Sequence, residues 1–323
     1  MIVTVTLNPS LDRTIEVARL VRGALVRATG TRLDPGGKGV NVARALAAHG
    51  IRSCAVVPRS GAVGDELVAL LSAEGIDVRA VPVTGQTRSN VSLVEPDGTV
   101  TKINEPGGPL TEADLRDVIS AVLSAAERAD WVVASGSLPP GVPDTVYAEL
   151  GRRLTGLGVR FAVDTSGAAL RAALAAGPAL VKPNRDELAE ASGSTIETLA
   201  DAARAAKAMV AAGARTVLAS LGADGAVLVD EQGARYGESP VKGGRSSVGA
   251  GDAMLAGYLA AGVTGGDALT EALSWGAAAV RLPGSRMPGP ADVDRSLVRI
   301  QGTPDFSRSL SGQDRVHGME QIQ

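Results

Sequence analysis

Trp131-Val132-Val133-Ala134-Ser135-Gly136-Ser137-Leu138-Pro139-Pro140-Gly141 is a short apolar run that stops at a turn. A helical pattern precedes it over 112–128, a second helix follows it, and the next apolar run is Arg160-Phe161-Ala162-Val163-Asp164. Strands this apolar, separated by helices, are buried on both faces. The pattern predicts a parallel sheet with helices packed on both sides and right-handed crossovers between its strands. The same alternation extends outward: Met1-Ile2-Val3-Thr4-Val5-Thr6 reads as a strand, 40–48 and 64–74 as helices and 78–83 as a strand. Further on, 216–229 reads as strand, glycine turn and strand, and 271–281 as an Ala-rich helix. Residues 87–103 interrupt the series, because strand-type alternation flanks Pro96-Asp97-Gly98, a hairpin signal. With 14–17 and 26–33 this hairpin makes a small separate sheet over the site.

Composition narrows the function. The chain has 323 residues, 45% of them hydrophobic, enough for one large α/β domain or two smaller ones. Its 32 Lys+Arg against 35 Asp+Glu give a net charge of -3, which argues against nucleic acid and against an anionic membrane surface. Aromatics are 2%, too few for stacking platforms, so small molecules are the expected partners. Cys54 is alone and cannot form an internal disulfide. The chain opens on a strand instead of a signal core, and no run nears the ~18 apolar residues of a membrane span; a cytoplasmic protein is expected. The two histidines, His49 at a helix end and His317 in a polar tail, leave acid–base work to carboxylates and lysines. Residues 302–323 are polar and aperiodic, and predict a disordered tail without a function.

Two glycine loops carry the chemistry. Ser247-Val248-Gly249-Ala250-Gly251-Asp252 leads into an apolar helix whose free N–H groups and dipole make a seat for an anion. An aspartate competes with a bound phosphate for those N–H groups, so Asp252 suggests a general base that takes a hydroxyl proton during attack on phosphorus. The alternative is a plain Gly-Asp turn and helix cap. In Asp34-Pro35-Gly36-Gly37-Lys38-Gly39-Val40-Asn41 the lysine is followed by glycine, not Ser or Thr, so this is not a Walker A loop. Asn41 is a mediocre helix former in a first turn and plausibly faces a ligand, with Lys38 meeting an anion; a solvated Gly-rich turn is the alternative. The G-x-G-x-x-G dinucleotide fingerprint is absent after the first strand, which weakens a dehydrogenase reading. Asp12, in what reads as a loop after that strand, either grips sugar hydroxyls or is solvated. Arg88 has the fork geometry for phosphate. Asn184 and Glu187 have the spacing of a helix cap, and also suit a magnesium ion that keeps most of its waters.

Four stretches together resemble the ribokinase-like, or PfkB, carbohydrate kinases: 34–43, Ser135-Gly136-Ser137-Leu138-Pro139, Lys182-Pro183-Asn184-Arg185-Asp186-Glu187-Leu188 and Val248-Gly249-Ala250-Gly251-Asp252. They occur in the family's order. Thr6-Leu7-Asn8-Pro9-Ser10-Leu11-Asp12, Lys38 and Lys102-Ile103-Asn104 look most like the 1-phosphofructokinases, with tagatose-6-phosphate kinases and 6-phosphofructokinases as alternatives. The resemblance implies a three-layer α/β/α kinase domain over 1–301, with a β lid from about 12–33 and 84–104 that also forms a homodimer contact. It implies ATP and Mg2+. Asp252 would be the base, and Gly249, Ala250 and Gly251 the anion hole. Asp12, Gly36, Gly37 and Asn41 would hold sugar hydroxyls, and Lys38, Arg88, Arg27 and Ser137 the sugar's phosphate. Lys182, Asn184, Ser220, Gly222, Ala223, Gly225 and Gly251 would serve ATP, and Glu187 with Asn184 the magnesium, through water. Many relatives also bind K+, but their Asp-Thr before the glycine motif is Ser246-Ser247 here. A non-catalytic sugar-phosphate sensor is the reading from a different class.

Overall fold

The computed structural model describes residues 1–241, 243–244, 246–262, 265–301 and 305–311. The N-terminal half contains β1 (Ile2–Val5), β2 (Ser10–Val17), β3 (Ala28–Gly36), α1 (Lys38–Ala48), β4 (Ser53–Arg59), α2 (Gly61–Ala73), β5 (Asp77–Pro82), β6 (Arg88–Val94), β7 (Val100–Asn104) and α3 (Glu112–Ala126). There follow β8 (Trp131–Ser135), α4 (Val146–Gly156), β9 (Arg160–Asp164), α5 (Gly167–Leu174), β10 (Leu180–Val181), α6 (Arg185–Ser192), α7 (Leu199–Ala211) and β11 (Val217–Ser220). The last elements are β12 (Ala226–Asp230), β13 (Gly233–Glu238), α8 (Ala250–Ala260), α9 (Gly266–Arg281) and β14 (Arg299–Gln301).

Ten of these strands form one sheet in the order β14-β13-β12-β11-β10-β9-β8-β1-β4-β5. From β5 to β11 neighbouring strands are parallel, and β12, β13 and β14 add an antiparallel edge. Alternate residues feed opposite cores, as the two-residue period of a strand requires. Val3, Val5, Val132, Ala134, Phe161 and Val163 enter the core under α3 to α7, while Ile2, Trp131, Val133 and Ala162 enter the one under α1, α8 and α9. The result is the ribokinase-like three-layer α/β fold. No helix among the described residues is long and apolar enough to cross a membrane.

Strand order reverses between β1 and β8: from β8 the chain builds outward through β9, β10 and β11, and from β1 through β4 and β5 on the other side. Open α/β sheets bind ligands at such a switch, beyond the C-terminal strand ends. The ends of β1, β8, β9, β10 and β11 carry Asn8, Ser137, Asp164, Lys182 and Ser220. The lid is a four-stranded sheet, β3-β2-β6-β7, whose β6–β7 hairpin turns at Gly98 with φ 91°.

Two expectations change. Residues 10–13 are not loop: Ser10 through Glu16 pair with β6 and Ser10 pairs with Gly36, so Asp12 and Gly36 belong to the lid strands. Polar residues are tolerated in these strands because the lid is half exposed. Nor are residues 305–311 a free tail, for they pack along the start of α7 with Leu310 buried in the core. One apolar side chain and main-chain pairing outweigh the polar composition there. Residues 302–304 and 312–323, with His317, lie outside the described residues.

Candidate active site

The α8 N-terminus lies at the centre. Gly249 precedes it with φ 76°, a left-handed conformation that L side chains rarely adopt, and a Cβ there would stand 2.5 Å from Met287 Cε. Ala250, Gly251 and Asp252 form the first turn, whose N–H groups have no intrahelical acceptor. Asp252 is only 7% exposed. Burial, then the nearby Asp164 charge, pushes its carboxyl up from 3.8 to about 6, against the amide of Asn41, which donates from Nδ2 to Asp252 Oδ2 at 2.8 Å.

Asn41 thus faces Asp252. Its Oδ1 is buried without a hydrogen-bond partner, an acceptor left for a ligand hydroxyl. Asp12 is oriented by Ser10 Oγ at 2.7 Å and by Asn90 Nδ2 at 2.9 Å, both donating to Oδ1. A Cβ at Gly36 would fall 2.3 Å from Asp12 Oδ2, so a side chain there would displace this carboxylate. Gly37, with φ 117°, turns the chain into α1. Asp12, Gly36, Gly37, Asn41 and Asp252 therefore come together from β2, β3, α1 and α8.

Where β9 and β10 end and α1 and α6 begin, four charged residues form a chain. Lys38 Nζ donates to Asp164 Oδ1 at 2.8 Å and to Glu187 Oε1 at 3.0 Å. Lys182 Nζ lies 3.1 Å from Asp164 Oδ2, an ion pair whose geometry leaves that oxygen without a hydrogen bond. A Cβ on Gly251 would be 3.3 Å from Lys182 Nζ, so this ammonium stands against the α8 first turn. Burial alone would lower the Lys38 pKa, but Asp164 and Glu187 outweigh it and raise it. Burial likewise opposes ionisation of Asp164, and the two lysines hold its pKa below the usual range. One cation, Lys182, thus stands against the anion seat.

Asn184 and Glu187 form the reciprocal helix cap: Glu187 N–H donates to Asn184 Oδ1 and Asn184 N–H to Glu187 Oε2, each at 2.8 Å. Glu187 Oε1 meanwhile faces Lys38, so capping and site roles coexist in one side chain. Ser220, Gly222, Ala223 and Gly225 form a tight turn closed by Leu221 N–H to Gly225 O at 2.8 Å, with Ser220 bridged to Asn184.

The expected phosphate ligands of the sugar are placed less uniformly. Arg88 donates to Asn8 O and Glu105 O at 3.0 Å, and its Nε is buried without a partner; burial lowers its pKa, opposed by Asp12 and Glu105. Ser137 Oγ receives Asn8 Nδ2 at 3.3 Å. Lys38 is held by two carboxylates, those of Asp164 and Glu187. Arg27 is exposed at the entry to β3, the lid end where Val17 pairs with Ala28, far along the strand from Gly36. One chain does not bring it to the others. Asp164 and Asn90 were missed, although an aspartate ending a parallel strand was a readable signal for the first.

This arrangement can seat a phosphoryl group over α8 with a base beside it and a polyhydroxyl ligand against Asn41 and Asp12. Residues 5–284 match the model of the pfkB family carbohydrate kinases. The chain belongs to this family. Such kinases move a phosphoryl group to a sugar hydroxyl, the chemistry for which a buried carboxylate beside an anion seat is suited. Within the pfkB family the chain is 41% identical over 264 residues to the 1-phosphofructokinase of Xanthomonas campestris, covering 80% of this chain and 83% of that one. It is 41% identical over 275 residues to the 1-phosphofructokinase of Rhodobacter capsulatus, covering 82% and 85%. The Escherichia coli phosphofructokinase-2 structure in complex with potassium superposes with a TM-score of 0.85 at 36% identity, covering 90% and 96%.

Proposed function

We propose that this pfkB kinase is a 1-phosphofructokinase, converting fructose 1-phosphate and ATP to fructose 1,6-bisphosphate and ADP. The observation that carries the reading is Asp252: a carboxylate buried at a helix N-terminus, hydrogen-bonded to the sugar-side Asn41 and next to the lysines of the nucleotide side. The 1-phosphofructokinase relatives supply the choice of sugar.

The sugar hydroxyl attacks the γ-phosphorus as the bond to the ADP oxygen breaks, and its proton passes to an Asp252 oxygen. A sugar hydroxyl is far less acidic than a carboxyl, so this transfer comes late, in a loose transition state governed by positioning and charge. The raised Asp252 pKa makes it a better acceptor while leaving it ionised at neutral pH. The N–H groups of Gly249 to Gly251 and the Lys182 ammonium offset the charge on the transferring oxygens. Asp12 and Asn41 Oδ1 hold hydroxyls, and Arg88 offers its unpartnered Nε to the phosphate already on the sugar.

Glu187, with Asn184 beside it, fits a magnesium ion held through its waters, as a hard cation beside carboxylates and phosphates prefers. When bound with ATP it would supply charge neutralisation on the β- and γ-phosphates. Before the glycine motif stand Ser246 and Ser247, without a carboxylate, and Ser246 Oγ accepts from Val248 N–H at 3.2 Å. Use of ATP as co-substrate supports a cytoplasmic enzyme. A homodimer through the lid is favoured by the lid's exposed apolar side chains: Leu20, Val21, Leu25, Val100 and Ile103, with Leu25 81% exposed.

The test is ATP consumption by the purified protein with magnesium on fructose 1-phosphate, fructose 6-phosphate and tagatose 6-phosphate. A clear preference for fructose 1-phosphate is expected. Preference for a 6-phosphate overturns the substrate, and no turnover with any of the three favours the sensor.

A further inference from the structure

Residues 305–311 run as a strap across the start of α7. Leu199 N–H donates to Arg308 O at 3.1 Å, Ala200 N–H to Phe306 O at 2.9 Å and Leu310 N–H to Glu197 O at 2.8 Å, and Ser309 bridges Thr198. The strap ends on the two loops that carry the candidate nucleotide residues. Ser311 N–H donates to Asp224 Oδ2 at 2.8 Å and Ser311 Oγ to Asp224 Oδ1 at 2.9 Å. Asp224 lies in the turn between Ser220 and Gly225. In the other direction Arg185 Nη1 donates to Ser311 O at 2.8 Å, and Arg185 opens α6 directly after Asn184. One residue therefore ties the loop after β10 to the loop after β11.

The tie has physical force because Asp224 is only 5% exposed. A buried carboxylate needs donors, and leaving it short of them costs more than a hydrogen bond contributes when made. Ser311 supplies two of those donors. Arg308 adds its charge 3.6 Å from Asp224 Oδ1 and pairs with Glu238 at 2.8 Å, and Tyr236 Oη lies 2.8 Å from Asp224 O. The residues of the sugar cluster come instead from β2, β3, α1 and α8, and none of them is bonded to the strap.

We propose that the strap is a positioning element for ATP, with Ser311 holding the turn at Asp224 in register with Asn184. Nucleotide affinity then depends on Ser311, while sugar-phosphate affinity does not. The proposal rests on the kinase reading above, and its test separates the two. Mg·ATP and, separately, fructose 1-phosphate are titrated calorimetrically into the full chain and into Ser311→Pro, which lacks both donors, Ser311→Ala, which lacks one, and Ser311→Thr, which keeps both. Ser311→Pro is expected to weaken Mg·ATP about tenfold and Ser311→Ala about threefold, less than the full cost of the lost hydrogen bonds to a charged group, because they reach ATP only through the turn at Asp224. Ser311→Thr should stay within about twofold of the parent, and sugar-phosphate binding should be unchanged throughout. If Ser311→Pro does not fold, Ser311→Ala decides. Unchanged Mg·ATP affinity in the folded variants overturns the proposal, as does equal weakening of both ligands. A full chain that binds sugar phosphate but no nucleotide overturns the kinase reading itself.

Discussion

Replacing Asp252 by Asn should make the protein inactive and more stable at once. In the folded protein the Asp252 carboxyl titrates at about 6 instead of 3.8. Below pH 3.8 the group is protonated whether the chain is folded or not, and it contributes nothing. Between 3.8 and 6 the unfolded chain releases the proton and the folded chain keeps it, so folding becomes less favourable as pH rises through this window. Above 6 the whole penalty is present. The interval from 3.8 to about 6, at about 1.4 kcal/mol per pH unit, amounts to about 3 kcal/mol. Asn is isosteric, carries no charge, and can still accept from Asn41 Nδ2. Asp252→Asn should therefore gain about 3 kcal/mol at pH 8, or about 4 °C in Tm for a chain of this length, and about half of that at pH 5. Turnover should fall by ~10² to 10⁴. Thermal denaturation of parent and variant at the two pH values checks this. No gain at pH 8, or the same gain at both, refutes the view that a buried charge is held against its own desolvation.

Three further outcomes follow from the same geometry. Asn41→Ala removes the amide that favours ionised Asp252, so the acidic limb of the kcat profile should move from near 6 to about one unit higher; an unmoved limb means that Asp252 is not the group titrating. Arg88→Ala should raise KM for the sugar phosphate by about tenfold or more and leave that for ATP unchanged, since its Nε is the unused donor; equal weakening of both would assign Arg88 to lid folding instead. Leu25→Asp puts a charge on the lid's most exposed apolar side chain and should shift the protein toward monomer in analytical ultracentrifugation, with an unchanged mass contradicting the lid dimer.

Much of the site was legible because its residues are held by local rules. Gly249 and Gly37 sit where the backbone needs positive φ, Asn41 stands in a first helical turn it does not favour, and the spacing of Asn184 and Glu187 is that of a helix cap. Each carries its signal within a few residues. The Lys38 ion pairs were not legible in this way, since Asp164 and Glu187, which hold its ammonium, lie 126 and 149 residues along the chain. Nor was the strap. Polar composition marks 302–323 as tail, and 305–311 finds its place through partners far along the chain, Glu197 to Ala200, Asp224 and the core around Leu310.

The sequence alone therefore determined the alternation of strands and helices, the parallel sheet, the lid hairpin and the two glycine loops, because backbone conformation and two-faced burial are set by near neighbours. The tertiary structure decided which charges meet: Asp252 with Asn41, Lys38 and Lys182 with Asp164, and Ser311 with Asp224 and Arg185. Electrostatic partnership depends on distance in space and on the water excluded between groups. Both come into being only when the strand ends on either side of the sheet's switch point are brought together.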